Sequence, residues 1–233
     1  MHRIDSKKMP NNKKTPEHQA AYETLRNMIL LGRFAPGEPL TIQGLADALN
    51  VGMTPAREAI RRLVSENALE TLGNRRVALP VLDQSALEDI YMLRLEIEPE
   101  LTSRAVKNVS QQIVDRLSVI DEAVNMAIEI GDVGAYLERN YAFHFGIYEL
   151  ADSPVLLRVA HMLWLQVGPS LRVICGRFGT TNLPDKHPDI LSALLEGEPE
   201  NAASAMRDDL TQGIELINQS FFQKFDQKLG VGG

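Results

Sequence analysis

Residues 45–63 read LADALNVGMTPAREAIRRL, and this stretch predicts the fold of the N-terminal part of the chain. Two short helical patterns lie on either side of a tight break at 50–52. The second pattern is predicted to begin at Thr54-Pro55, because threonine caps helix N-termini and proline fits the first helical turn. Its apolar residues recur at the spacing of one buried helical face, namely Ala56, Ala59, Ile60, Leu63 and Val64.

That buried face leaves two arginines, Arg57 and Arg61, together on the outward side of the same helix. Thr54 and Arg62 lie near them in the sequence. A short helix, a turn and a second helix with outward arginines is the arrangement that reads the major groove of DNA. The stretch therefore predicts a helix-turn-helix that binds double-stranded DNA.

A small hairpin is predicted directly after this motif, with strands at 69–72 and 77–81 around the turn Gly73-Asn74-Arg75-Arg76. A hairpin with arginines at its tip, placed beside a helix-turn-helix, is typical of a wing that reaches the DNA backbone or the minor groove. The alternative is a surface hairpin with solvated arginines, which fits less well beside the preceding helix.

The charge of the chain is divided unevenly between its two parts. Through Pro80 there are 12 Lys and Arg against 8 Asp and Glu, a net charge of +4, while the remainder has 12 against 23, a net charge of −11. We expect a basic module that binds a polyanion and an acidic module with another role. The single cysteine, Cys175, excludes an internal disulfide framework, and no apolar run is long enough for a membrane span. The chain is therefore expected to be cytoplasmic.

The positions of glycine, proline and helix-capping residues predict five segments and a mainly α fold. We expect a disordered basic arm over 1–14, a winged helix-turn-helix domain over 15–80, a linker over 81–84, an all-α bundle of about six helices over 85–225 and a frayed tail over 226–233. The bundle helices are predicted to begin near Ser85, Ser110, Asp132, Ser153, His187 and Pro199, the fourth of them ending near Gly168 before a loop at 176–186.

These residues resemble those of GntR-type bacterial transcription regulators. The N-terminal resemblance rests on Leu25-Arg26, Ile29 to Gly32, Pro36-Gly37, Leu40, Leu45-Ala46, Val51, Thr54-Pro55, Arg57 to Ile60 and Leu63. The bundle resembles the FCD ligand-binding domain of the FadR branch through Arg94 to Glu98, Phe143-His144, His187, Ile190-Leu191 and Ala205-Met206. Six helices suggest the VanR-like subgroup. The resemblance implies a homodimer on a short palindromic operator, repression relieved by a small effector, and no enzymatic activity.

Two departures from the family pattern concern DNA recognition. Gly52-Met53 stands where relatives usually have Ser/Thr-Arg, and Gln43 stands where some have a DNA-contacting arginine. The hypothesis is that Arg57 and Thr54 carry most of the recognition. The full set of expected DNA-binding residues is Gln43, Thr54, Arg57, Arg61, Arg75 and Arg76.

A divalent metal site is implied by four positions in the bundle. In many FCD domains these positions hold Asp, His, His and His, and here they are Asn140, His144, His187 and Asp209. Asn140 and His144 are four residues apart, so they project from one helical face. A mixed nitrogen and oxygen set suits Zn, Ni or Mn without choosing among them. The alternative is a core histidine at 144 and a helix-start residue at 187.

The resemblance implies a small effector, in relatives often an organic acid, held beside the metal, and Arg94 matches the family's first-helix arginine. A guanidinium binds carboxylate through two parallel hydrogen bonds, so Arg94 is the expected effector contact. The alternative for Arg94 is an ion pair with Glu98, four residues later on the same helix. Two rival functions are a helical metalloenzyme fused to a DNA-binding head and a non-specific DNA binder.

Overall fold

The helix-turn-helix and its wing form a small N-terminal head. The computed structural model describes residues 16–178 and 186–228, without the side chains at 174, 176–178 and 215–228. The head comprises three helices and three strands, α1 (Glu17–Leu30), β1 (Leu40–Thr41), α2 (Ile42–Leu49), α3 (Met53–Ser65), β2 (Glu70–Gly73) and β3 (Arg76–Ala78). The predicted arm at 1–14, residue 15, residues 179–185 of the predicted loop and residues 229–233 of the predicted tail lie outside the described residues.

The turn of the helix-turn-helix lies where the sequence predicts it. Thr41 caps α2 by accepting a hydrogen bond from the Gly44 N–H at 3.0 Å, and Asn50 ends the helix in the left-handed region at φ 51°. The prediction that Thr54 caps the next helix was wrong. Helix α3 begins one residue earlier, after Gly52, and no side chain caps it, so Thr54 lies inside its first turn.

The wing is a three-stranded antiparallel sheet rather than a hairpin alone. Its strand order is β1-β3-β2, with Leu40 opposite Val77 and Glu70 opposite Ala78. Strand β1 has only two residues, too few for the alternating pattern that identifies a strand in sequence. At the tip, Asn74 and Arg75 both have positive φ, 48° and 56°, as a tight hairpin turn requires at its two central positions.

The remaining helices form the predicted all-α bundle, with six α-helices among the residues that the structure describes. These are α4 (Gln84–Ala105), α5 (Gln111–Ile130), α6 (Val133–Tyr148), α7 (Pro154–Phe178), α8 (His187–Glu196) and α9 (Pro199–Lys228). Short 3-10 turns follow α4 and α6. The family's mainly α architecture is therefore confirmed.

Two predicted helix boundaries in the bundle were wrong. Asp83, not Ser85, caps α4, because its side chain accepts the hydrogen bond from the Ala86 N–H at 2.8 Å. Helix α7 does not end near Gly168 but continues through Pro169 to residue 178. Val167 and Cys175 are buried on either side of that proline, and their packing outweighs the hydrogen bond that proline removes.

The head packs directly on the bundle through α1 and α7. Leu25 and Ile29 of α1 belong to the same continuous apolar core as Phe143 and Trp164 of the bundle. The close approach needs a glycine, since a Cβ built at Gly168 would lie 2.7 Å from the Leu30 carbonyl oxygen. No helix in the described ranges is long and apolar enough to cross a membrane.

Candidate metal centre and nucleic-acid interface

Three of the four predicted metal ligands meet in the bundle core. His144 comes from the middle of α6, His187 from the first residue of α8 and Asp209 from α9. The His144 Nε2 atom lies 3.4 Å from one Asp209 carboxylate oxygen, and the His187 Nε2 atom lies 3.9 Å from the other. One ligand atom from each residue falls within 4.8 Å of the others. Asn140, one turn before His144, lines the same cavity.

His187 is oriented by a carboxylate that the sequence reading missed. The His187 Nδ1 atom lies 2.6 Å from an Asp121 oxygen, and the Phe143 ring stacks on the imidazole at 3.8 Å. A carboxylate accepts, so the His187 Nδ1–H donates to Asp121, and Nε2 is turned toward Asp209. The sequence does carry one sign of this role, because Asp121 is a charged residue at a position of the apolar helix face formed by Val114, Leu117 and Val124.

His144 is held in the same tautomer by a second hydrogen-bond chain. The Tyr148 hydroxyl donates to Glu98 at 2.6 Å, which leaves its oxygen to accept from the His144 Nδ1–H at 3.1 Å. Burial, with the charges of His187 and Arg94, holds the pKa of His144 well below its usual range, so the imidazole is neutral. The Nε2 lone pair therefore faces the Asp209 carboxylate.

This arrangement fits a divalent cation. The Nε2 atoms of both histidines face the Asp209 carboxylate, and a cation placed between them would be coordinated by two ring nitrogens and a carboxylate oxygen. The charged side chains around the two histidines are one guanidinium, Arg94, and three carboxylates, the buried Glu98 and Asp121 and the partly buried Asp209. The excess of carboxylates favours a cation at this place. Histidines that bind metals typically donate their other ring N–H to a carboxylate, as His187 does to Asp121.

Arg94 forms the ion pair that was the alternative to effector binding. Its Nε and Nη2 atoms donate to the two Glu98 oxygens at 2.5 and 3.3 Å, and its guanidinium lies 4.6 Å from the Trp164 ring centre. Arg94 also lines the cavity beside His144, His187 and Asp209, which we call the metal-ligand cluster. Tyr91 and Trp164 line the same cavity. The cavity has a volume of about 80 Å³, room for a few waters or a small ligand.

The predicted DNA-binding residues all lie on exposed positions of the head. Thr54, Arg57 and Arg61 are on α3, Gln43 is on α2, and Arg75 and Arg76 are at the hairpin tip. Two of these side chains are engaged locally, since Arg61 pairs with Glu58 at 2.8 Å and Gln43 donates to Asp47 at 2.8 Å. Within the described part of the chain, the Arg57 side chain has neither an ion-pair nor a hydrogen-bond partner.

Comparison with known proteins agrees with both halves of this description. Residues 17–79 match the family of bacterial regulatory proteins named gntR, and residues 89–212 match the FCD domain. The HTH-type transcriptional regulator McbR of Escherichia coli (strain K12) is 28% identical over 200 residues, which cover 84% of this chain and 90% of that protein. The gluconate operon transcriptional repressor of Bacillus subtilis (strain 168) is 27% identical over 210 residues, covering 89% and 81%.

A solved structure of E. coli McbR/YncC has the same fold. It superposes with a TM-score of 0.84 at 26% identity, covering 89% of this chain and 100% of that one. The named relatives are transcriptional regulators rather than enzymes, which removes the metalloenzyme alternative. With a gntR-type head and an FCD bundle in one chain, the protein belongs to the GntR family of bacterial transcription regulators, in the FCD-containing branch.

Proposed function

We propose that this regulator is a repressor that binds a short palindromic operator as a homodimer in the bacterial cytoplasm. The observation that carries the proposal is the exposed Arg57 on the solvent face of α3, which has no partner among the described residues, in a head whose wing carries the exposed Arg75 and Arg76. A free guanidinium on a recognition helix is available for a guanine edge, and arginines at a wing are available for phosphates. A two-fold dimer would place two such faces on the two half-sites.

The bundle is proposed to hold one divalent metal ion on His144, His187 and Asp209, with the Asn140 amide oxygen as a weaker fourth ligand. Support comes from the two Nε2 atoms that face Asp209 and from the excess of carboxylates around them, Glu98, Asp121 and Asp209 against Arg94. When bound, the ion supplies a positive site for an oxygen of the effector. Zn, Ni and Mn all accept this ligand set.

The effector is proposed to be a small organic acid in the cavity beside the metal ligands. Arg94 lies in the wall, where its guanidinium, already paired with Glu98, would share its remaining N–H groups with a ligand carboxylate. The effector changes operator binding only to the extent that it binds one arrangement of the two heads better than the other.

The DNA-binding part is tested with an operator obtained by selection from random duplexes against the purified protein. Arg57→Ala should weaken binding to that duplex by roughly 10- to 100-fold, the value of one bidentate base contact. Arg116→Ala, which removes an exposed arginine from the bundle helix α5, is the matched control and should leave the affinity unchanged. Full affinity in Arg57→Ala, with the fold intact by circular dichroism, would contradict the assignment.

The metal-binding part is tested by total metal analysis of protein purified without chelators or metal-affinity columns. The proposal predicts one divalent ion per chain, and loss of that ion in His144→Ala. Substoichiometric metal in the wild-type protein, unchanged after incubation with zinc, would contradict it.

A further inference from the structure

One arginine of the head reaches into the bundle. Arg26 of α1 places its Nη2 atom 2.6 Å from the His161 Nδ1 atom on α7 and 3.2 Å from the Tyr141 hydroxyl on α6. Tyr141 and His161 also contact each other, with 3.0 Å between the hydroxyl and Nδ1. All three side chains are partly buried. We call Arg26, Tyr141 and His161 the docking cluster.

The direction of these hydrogen bonds fixes the state of the histidine. A guanidinium can only donate, so Nδ1 of His161 must be the acceptor and the imidazole must be neutral. Burial and the charge of Arg26 lower the pKa of His161 to about 4, which agrees with that state at neutral pH. The hydrogen bond from Arg26 to His161 is therefore formed at neutral pH.

The docking cluster lies one helical turn from His144 on α6 and one helical turn from Trp164, which lines the same cavity, on α7. Tyr141 precedes His144 by three residues on α6, and His161 precedes Trp164 by three residues on α7. The Trp164 ring lies 5.2 Å from the His144 ring and 5.7 Å from the Tyr141 ring.

Phe145 completes the connection between the two helices. Its ring stacks on Tyr141 and on His161, each at 4.2 Å between ring centres. It also lies 5.6 Å from the Trp164 ring. A movement of the His144 or Trp164 side chain is therefore passed to rings that touch Arg26, because packed cores shift between discrete arrangements rather than deforming freely.

We propose that the docking cluster couples occupancy of the metal and effector site to the placement of the DNA-binding head, with Arg26, Tyr141 and His161 as positioning residues. The inference rests on the proposed metal-binding function of that site. Metal or effector beside His144 sets the positions of α6 and Trp164. The adjacent turns then hold or release Arg26, and with it α1 and the recognition helix packed on α1. By thermodynamic linkage, fixing the head must change the affinity of the bundle site by the same factor.

The test uses zinc as the probe and the full chain as the protein. Trp164 is the only tryptophan in the sequence, so its fluorescence reports zinc binding at the bundle site directly. Amide hydrogen exchange of α1, measured with and without zinc, reports the docking of the head. In the wild-type protein, zinc should change the exchange rate of the α1 amides by at least about fivefold, the lower end of usual allosteric coupling.

Variants separate coupling from a merely structural role. In Arg26→Met, zinc should still change Trp164 fluorescence, but the exchange rate of α1 should no longer respond to it. Arg26→Lys, which retains a donor cation without the planar fork, should restore part of the response. Arg33→Met, which removes an exposed arginine just after α1, should behave as the wild type. If Arg26→Met does not fold, Tyr141→Phe removes one hydroxyl and should reduce the response.

The outcomes distinguish this inference from the function on which it rests. Zinc binding without any change in α1 exchange would overturn the coupling and leave the metal site standing. A full response in both Arg26→Met and Tyr141→Phe would overturn the role of the docking cluster. Absence of zinc binding in the wild type would contradict the metal site and the coupling together.

Discussion

At the scale of single residues, the orientation of the proposed metal ligands depends on side chains outside the proposed ligand set. Asp121 fixes the tautomer of His187, and Tyr148 with Glu98 fixes that of His144. His144, His187 and Asp209 were identifiable in the sequence through the family resemblance. Asp121 was not, because its partner lies 66 residues away and only the packing of α5 against α8 brings the two together.

Asp121→Asn should lower zinc affinity by about 10- to 100-fold, because an amide no longer fixes the His187 tautomer or raises its basicity. Competition with a chromophoric chelator measures the change. Asp115→Asn, an exposed substitution on the same helix, is the control and should have no effect. Equal zinc affinity in the two variants would show that Asp121 does not support the site.

Arg75 combines an unfavourable backbone conformation with an exposed charge. Its φ of 56° suits glycine, so Arg75→Gly should raise the free energy of unfolding by about 1 kcal/mol while weakening operator binding through loss of a phosphate contact. Urea denaturation and a salt-dependent binding assay measure the two effects. Arg76→Ala should weaken binding without the gain in stability, since Arg76 lies in β3 outside the positive-φ region. A less stable Arg75→Gly protein would refute this account of the tip.

His161 predicts how stability depends on pH in the zinc-free protein. Its pKa is about 4 when folded, against the ordinary value of 6.5, so between these values the unfolded chain binds more protons than the folded one. The contribution to stability is full above the unfolded value and falls as the pH decreases from about 6.5 to 4. Urea denaturation should show that the free energy of unfolding falls less between pH 7 and pH 5 in His161→Gln than in the wild type. Equal losses would exclude this histidine as a source of the dependence.

At the scale of elements, the sequence predicted those helices whose apolar spacing is regular. The buried face of α3, with Ala56, Ala59, Ile60 and Leu63, follows directly from that spacing. The end of α7 was missed because Gly168-Pro169 is a local signal for a break, whereas buried neighbours on both sides keep the helix intact. Strand β1 exists only through its pairing with β3, which a local pattern cannot reveal.

Gly168 is predicted to set the distance between α1 and α7. Gly168→Ala should destabilise the protein by about 1–3 kcal/mol, because the added methyl group would overlap the Leu30 carbonyl oxygen. Gly213→Ala is the control in α9, where an added Cβ meets no described atom within 4 Å, and it should stabilise the helix by roughly 0.5–1 kcal/mol. Thermal denaturation compares the two. Stabilisation by both substitutions would mean that α1 and α7 can separate without cost.

At the scale of the whole molecule, the sequence indicated a basic head and an acidic bundle, and the gntR and FCD families match residues 17–79 and 89–212. The contact between them could not be predicted. Arg26 lies 115 residues before Tyr141 and 135 before His161, and no spacing in the sequence joins the three. Only the folded chain shows that Arg26 of the head contacts the helical turns that precede His144 and Trp164.

We infer that the bundle site controls DNA binding. The most direct test measures operator affinity with saturating zinc and again with zinc removed by a chelator. We expect a difference of at least about fivefold, and the same factor in zinc affinity when it is measured with and without operator. Identical operator affinity in the two conditions, with zinc shown to occupy the site by Trp164 fluorescence, would contradict the claim.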